Sequence, residues 1–397
     1  MEIREIVQQL LRPYNAIVTV CAARFARRAQ TAPINALRVK PMLEGRLRRE
    51  GNMENITYIT GAGFSAIAGL PTMGNFLVKA KDLYYGDKEK YKSFKAIFEK
   101  IDELAKIKNY FNSDLFNIEE FLSIYDMEYA LSKKRNSSAF INFIIDVITS
   151  YSFNLSDLKH EFPGNWLDFV FGKNDVQRNI SSFVSNIFQL EYYDTSAVNK
   201  ESSFKTRKIE SNIHYSIVSL NYDSLLETTL SSINDDYNSL WGFEKEKYID
   251  EWMNPMLFKL HGDVLKNSII PPTWAKNIND NMRSTWQNAY EVIRNSTQIR
   301  FFGYSLPPTD TYFLYFLKAA IKNNPFLKNI DAICLDKQDE IQNRYKNVFS
   351  FRDLKFKNMN INDYCKRLWC DDRGFQIRYS QRLTCNSLES IHKIFVN

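Results

Sequence analysis

The stretch NITYITGAGFSAIAGLPT, residues 55–72, decides the fold. Ile56–Thr60 is rich in β-branched and aromatic residues and reads as a strand. It runs straight into Gly61-Ala62-Gly63, and a helix-length segment follows from about Ala66 to Leu83. Strand, glycine turn and helix in this order open a nucleotide-binding βαβ unit. The two glycines permit a tight turn and let backbone N–H groups approach a pyrophosphate, whose charge the helix N-terminus favours. Taken alone, the motif fits a plain glycine turn as well as a cofactor loop. Ala68-Gly69-Leu70-Pro71 sharpens it, because Pro71 is expected to interrupt the helix and leave a loop over the bound nucleotide.

Downstream, residues of about 85–210 read as a large helical insertion, with apolar positions recurring every three or four residues in YKSFKAIFEKIDELAKI and FNIEEFLSIYDMEYAL. Loops are expected at Phe153–Leu158 and Pro163-Gly164. From His214 strands and helices alternate: strands at Ser216–Leu220, Met256–Leu260, Gln298–Gly303, Ile330–Leu335 and Leu354–Phe356, helices at Asp223–Leu230 and Thr309–Lys322. This pattern predicts an α/β fold, a Rossmann-like parallel sheet with helices on both faces. Residues 371–397 suggest no element.

Upstream, the composition breaks at Met53. Residues 1–52 hold nine Arg and one Lys against four Glu, which accounts for the whole net charge of +6, and residues 53–397 balance at 42 basic and 42 acidic side chains. The basic character therefore belongs to a 1–52 extension, and net charge argues little for nucleic-acid binding by the body. Three readings of the extension stay open: an artificial or mis-assigned start with Met53 as the natural one, a basic arm for an acidic partner, or an organellar presequence. Neither a secretory signal nor a transmembrane run is visible. Cys21, Cys334, Cys365, Cys370 and Cys385 show no C-x-x-C spacing, so the sequence suggests no structural zinc module and no disulfide framework. The cytoplasm is the expected compartment.

Three further motifs fall at strand ends, the edge that faces the ligand crevice of an open α/β sheet. In SLNYDSLLE, Asn221 stands just past a strand and Asp223 opens a helix; a turn former and a helix cap are the competing roles. In FKLHGDV, His261 stands past the next strand, where a histidine suits general-base work better than a lone packed one would. In FFGYSLPPTD, Gly303 and Ser305 end a third strand, Ser305 suiting a ribose or phosphate oxygen. Asp310 divides evenly between capping the next helix and binding a hydroxyl.

The order GAG-x-S-x-x-AGLP, N-Y-D, L-H-G, G-x-S-L-P resembles the sirtuins, and most of all the bacterial sirtuin-like proteins of antiphage defence; FNIEEFLSIY also looks like that branch. The resemblance spans about Asn55 to Asp336 in four separated blocks. It implies that Gly61, Ala62, Gly63 and Ser65 belong to the NAD-binding loop, with Pro71 at its end. It implies that Asn221 positions the attacking water, that Asp223 binds NAD, and that His261 is the catalytic histidine at the ribose hydroxyls. Gly303 and Ser305 match the later cofactor-binding pair. Departures are as informative: no cysteine lies between Cys21 and Cys334, Thr72-Met73 replaces a Phe-Arg pair, and Tyr222 replaces an isoleucine. These put acyl-lysine recognition in doubt and leave NAD cleavage in place.

What the resemblance implies is an NAD+ glycohydrolase that takes NAD as substrate, needs no metal, releases nicotinamide and ADP-ribose, and depletes NAD in abortive infection. It implies a homo-oligomer that is silent until triggered through a translocase-type ATPase or an Argonaute-type partner, with nucleic acid involved only indirectly and no membrane. A nuclease or nucleic-acid-binding effector and an NAD-dependent deacylase remain the alternatives.

Overall fold

The computed structural model describes residues 53–104, 106–107, 110–111, 118–132, 138–152, 170–194, 204–233, 243, 254–266, 268–269, 280–350, 353–370 and 382–396. The chain divides after Met53 into two units, and the elements that follow belong to the second. The 1–52 extension and the loops expected at 153–158 and 163–164 lie outside the described residues.

Strand β1 (Glu54–Thr60) leads into a one-turn helix α1 (Ala62–Ser65) and a 3-10 turn (Ala66–Ala68). The helix expected over 66–83 breaks there. Gly69 takes φ +77°, Pro71 follows, and helix resumes only at α2 (Phe76–Gly86). The break thus starts two residues before the proline, at a glycine that accepts the left-handed conformation without a Cβ clash. The insertion continues as α3 (Phe94–Leu104), α4 (Ile118–Ser132), α5 (Ser138–Tyr151) and α6 (Asp175–Phe188). Its end departs from the helical reading: β2 (Leu190–Asp194) and β3 (Phe204–Lys208) pair antiparallel. Leu190 and Tyr192 are fully buried, the period-two burial of a half-buried strand.

Alternation then resumes with β4 (Ile213–Ser219), α7 (Leu225–Ile233), β5 (Met256–Lys259), the short pair β6 (Gly262–Asp263) and β7 (Ser268–Ile269), and α8 (Asp280–Arg294). It continues through β8 (Gln298–Phe302), α9 (Thr311–Lys322), β9 (Asn329–Cys334), α10 (Glu340–Val348), β10 (Leu354–Asn358) and α11 (Ile361–Cys370). Residues 382–396, for which the sequence suggests nothing, form β11 (Arg382–Thr384) and α12 (Leu388–Val396). β11 adds to β2, so the three-stranded sheet joins the insertion to the C-terminal segment.

The main sheet has six strands in the order β10-β9-β8-β1-β4-β5, and every neighbouring pair is parallel. Both faces are covered, as a parallel sheet requires. Ile56, Tyr58, Tyr215, Ile217 and Phe302 pack with the insertion helices on one side. Ile59, Val218, Phe258, Ile299 and Phe301 pack with side chains of α8, α9 and α10 on the other. The chain goes from β1 towards β4 and β5 on one flank and returns to β8, β9 and β10 on the other. That reversal opens a crevice at the carboxyl ends of β1 and β8, the usual place for a ligand in such sheets. Among the described residues no helix is long and apolar enough to cross a membrane.

Candidate active site

A cavity of about 580 Å³ occupies this crevice, a volume in the range of small-molecule and cofactor sites. Gly61, Ala62, Gly63, Pro71, Asn221, Asp223, His261, Gly303, Ser305 and Asp310 all line it. Residues from the ends of four strands, as far apart in sequence as Gly61 and Asp310, thus meet in one place. Ser65 is the exception: it is buried and stands behind the wall.

The glycines have a different physical reason from the one their motif suggests. The Gly61 N–H bonds the Phe302 carbonyl at 3.2 Å and the Gly63 N–H bonds the Gly303 carbonyl at 2.9 Å. Both donors are therefore used within the protein rather than held out to a pyrophosphate. Gly303 takes φ +66°, and a Cβ there would stand 2.3 Å from the Phe64 nitrogen. A Cβ on Gly63 would stand 2.7 Å from the Gly303 oxygen. The two turns are packed backbone against backbone, which only glycine allows. Beneath them Phe64, Phe183 and Phe302 cluster, with Phe183 stacked on Phe302 at 5.3 Å.

Asn221 is buried, and its amide nitrogen donates to the Gly61 carbonyl at 2.9 Å and to the Ser65 hydroxyl at 2.8 Å. Both amide protons are committed, so the side chain is locked and turns Oδ1 to any further partner. His261 is also buried; its Nδ1 lies 3.0 Å from the Leu220 carbonyl. A carbonyl only accepts, so in the neutral ring Nδ1 carries the proton and Nε2 is the basic nitrogen. The Tyr222 ring packs 5.9 Å from the imidazole.

Asp223 meets the capping role, its Oδ1 accepting from the Leu225 N–H at 3.1 Å at the start of α7, and the residue also lines the cavity. Asp310 stands at the N-cap of α9 without a side-chain capping bond. Its Oδ2 accepts instead from the Tyr304 hydroxyl at 3.0 Å, inside the cavity wall. Between them Leu306 holds φ +50°, an unfavourable conformation for a branched side chain. Arg344 donates to the Ser305 carbonyl and the Tyr345 hydroxyl to the Tyr304 carbonyl, so the loop is tied down around that strained residue.

Sequence reasoning missed three groups. Ile67, Leu70, Phe76, Ile118, Leu122 and Ile144 form an apolar wall, drawn from the segment after the glycine turn, the first residue of α2, and α4 and α5. Cys334, Asn360 and Asn362 line the far end past β9 and β10; burial pushes the Cys334 thiol up to about 12, so it sits there as a neutral group. Lys259 and Asp263 lie behind the wall, on either side of His261, paired at 3.0 Å. The FKLHGDV motif held both, but nothing in the linear order marks a lysine and an acid four apart as a pair across a turn. Among the described residues no group of three or more His, Cys, Asp or Glu side chains is placed to hold a metal ion.

Residues 215–361 match the family model described as the SIR2-like domain, so this part of the chain is sirtuin-like. No curated protein matches the chain. Among solved structures, one similar chain is Sir2 in complex with the inhibitor EX-527, 2'-O-acetyl-ADP-ribose and deacetylated p53 peptide. It is 10% identical, with a TM-score of 0.29, and the match covers 82% of this chain and 96% of that one.

Proposed function

We propose that the protein is an NAD+ glycohydrolase: water replaces nicotinamide at C1′ of the ribose, and nicotinamide, ADP-ribose and one proton leave. The observation that carries this reading is the meeting of Asn221 and His261 on the wall of a cavity that also contains the glycine turn. The cavity fits such a ligand in kind. It offers apolar walls for the two rings, and Ser305, Asn360, Asn362 and two aspartates for ribose hydroxyls.

The residues divide the work as follows. Asn221 holds the nucleophilic water through Oδ1, its amide protons being spent on Gly61 and Ser65. His261 Nε2 takes a proton from a ribose hydroxyl or from that water, with the Leu220 carbonyl fixing the ring. Asp223 and Asp310 set carboxyl groups around the ribose site, where positive charge grows as nicotinamide leaves. The apolar wall keeps bulk water away from the one oriented nucleophile.

Loss of NAD to such an enzyme kills the cell that makes it, so the activity is gated. The four-block resemblance supports a cytoplasmic, oligomeric effector of antiphage defence, released by a translocase-type ATPase or an Argonaute-type protein. The test is incubation with NAD and product analysis, with and without DNA, acylated peptide and a co-expressed neighbouring gene product. Nicotinamide and ADP-ribose are expected, and both Asn221→Ala and His261→Ala abolish them. Wild-type rates in both variants sink the assignment; acetyl-ADP-ribose or cut DNA in place of ADP-ribose identifies a deacylase or a nuclease.

A further inference from the structure

The loops that carry Asn221 and His261 are joined behind the cavity by Lys259 and Asp263. Lys259, at the end of edge strand β5, points its ammonium at the Tyr222 carbonyl (3.3 Å) and the Asp223 carbonyl (2.5 Å). The same ammonium pairs with Asp263 at 3.0 Å and stands 3.6 Å from Glu227 of α7. Asp263 in turn accepts from the Ser224 hydroxyl and the Leu265 N–H, both at 2.8 Å, and the Val264 N–H bonds the Tyr222 carbonyl at 3.0 Å. Lysine and aspartate side chains here are only about a tenth exposed. Burial alone would raise the Asp263 carboxyl, but the charge and hydrogen bonds of Lys259, with those of Ser224 and Leu265, outweigh it and hold the group below its usual range.

We propose that Lys259 is a positioning residue for the NAD reaction: with Asp263 it clamps the Asn221–Asp223 loop to the His261–Asp263 turn and so sets the distance between the two catalytic side chains. The role rests on the glycohydrolase reading. It follows from placement: Lys259 is absent from the cavity lining, whereas the two carbonyls it holds belong to Tyr222 and Asp223, which line the cavity. The Tyr222 ring also packs on His261, so the clamp reaches both members of the pair. An ammonium suits this task because it presents three donors to carbonyl and carboxylate oxygens at once. Misplacing a catalytic group by about 1 Å costs roughly a hundredfold in rate while binding contacts elsewhere persist.

Two readouts test it. In Lys259→Met, kcat for NAD is expected to fall about tenfold or more while KM changes less than about threefold. Lys259→Gln, which keeps donors for the carbonyls but not the charge, is expected to recover part of the loss. The second readout needs no turnover: with four histidines in the chain, ring nitrogen resonances of 15N-histidine-labelled protein report His261 directly. The wild type is expected to show one tautomer protonated at Nδ1, and folded Lys259→Met an averaged signal; Lys328→Met, which removes a surface pair with Glu54, leaves it unchanged. Should Lys259→Met not fold, Lys259→Gln and Asp263→Asn carry both measurements. Unchanged kcat together with an unchanged His261 signal overturns the clamp. A loosened His261 in a protein whose wild type cleaves no NAD keeps the clamp and rejects the glycohydrolase reading.

Discussion

Asn221 donates to the Ser65 hydroxyl at 2.8 Å across 156 residues of sequence. The bond ties the glycine loop after β1 to Asn221 after β4, the residue proposed to hold the nucleophilic water. Ser65 is therefore a support for Asn221 and does not touch the cavity, which revises its expected place among the ligand-binding residues.

Ser65→Ala leaves a buried amide proton without its acceptor. That omission costs about 1–3 kcal/mol, seen as a lowered thermal midpoint. Turnover of NAD is expected to fall about tenfold because Asn221 regains freedom to rotate. Wild-type kinetics in a folded Ser65→Ala protein would show that this bond does not orient Asn221.

Gly303→Ala puts a methyl into a space that does not exist, 2.3 Å from the Phe64 nitrogen and at φ +66°. The two turns have to separate, with a stability loss larger than about 1 kcal/mol. Differential scanning calorimetry with and without NAD measures both consequences: a lower midpoint, and loss of the upward shift that NAD is expected to produce in the wild type.

His214 is buried beside Lys208, and burial followed by that charge lowers its ring to about 4. The folded state thus binds fewer protons than the unfolded one between about pH 6.5 and 4. Its contribution is fully present above the unfolded value and is lost as pH falls to the folded one, on the order of 3 kcal/mol in all. Urea unfolding of wild type and His214→Gln at several pH values checks the sign: the variant's stability declines less over this window.

Arg300 is almost fully buried in β8 and pairs with Glu389 of α12 at 2.6 Å, while Tyr58 and Gln298 accept two further bonds from its guanidinium and Tyr215 donates to the same glutamate. One turn further along α12, His392 bonds Asp331 of the neighbouring strand at 3.0 Å. Glu389→Gln leaves the guanidinium buried without its counter-charge and is expected to cost about 3–5 kcal/mol. Truncation before Arg382 removes both contacts and also strand β11. Unfolding curves of the two proteins give the measurement; a truncated chain as stable as the full one would show that the C-terminal segment is dispensable.

Much of this was legible in order along the chain. Five of the six parallel strands announce themselves as short apolar runs because they are buried on both faces, whereas the edge strand β10 keeps its lysines exposed, and the four motifs announce the carboxyl edge because glycine, asparagine and histidine there interrupt apolar strands. The linear pattern alone thus pointed to the α/β class and to the strand ends that face the crevice, and ten of the eleven residues expected at the site line the cavity. It left the C-terminal segment blank, since Glu389 and His392 look like ordinary solvated helix positions until Arg300 and Asp331 are seen beneath them. It also assigned the glycine N–H groups to a ligand, whereas the fold spends those of Gly61 and Gly63 on Phe302 and Gly303. Periodicity reports which face of an element is buried, and it does so locally. Which buried group meets which, as Ser65 meets Asn221 and Lys259 meets Asp263, depends on the sheet order and on loops folding back over its edge, and only the tertiary structure decided that.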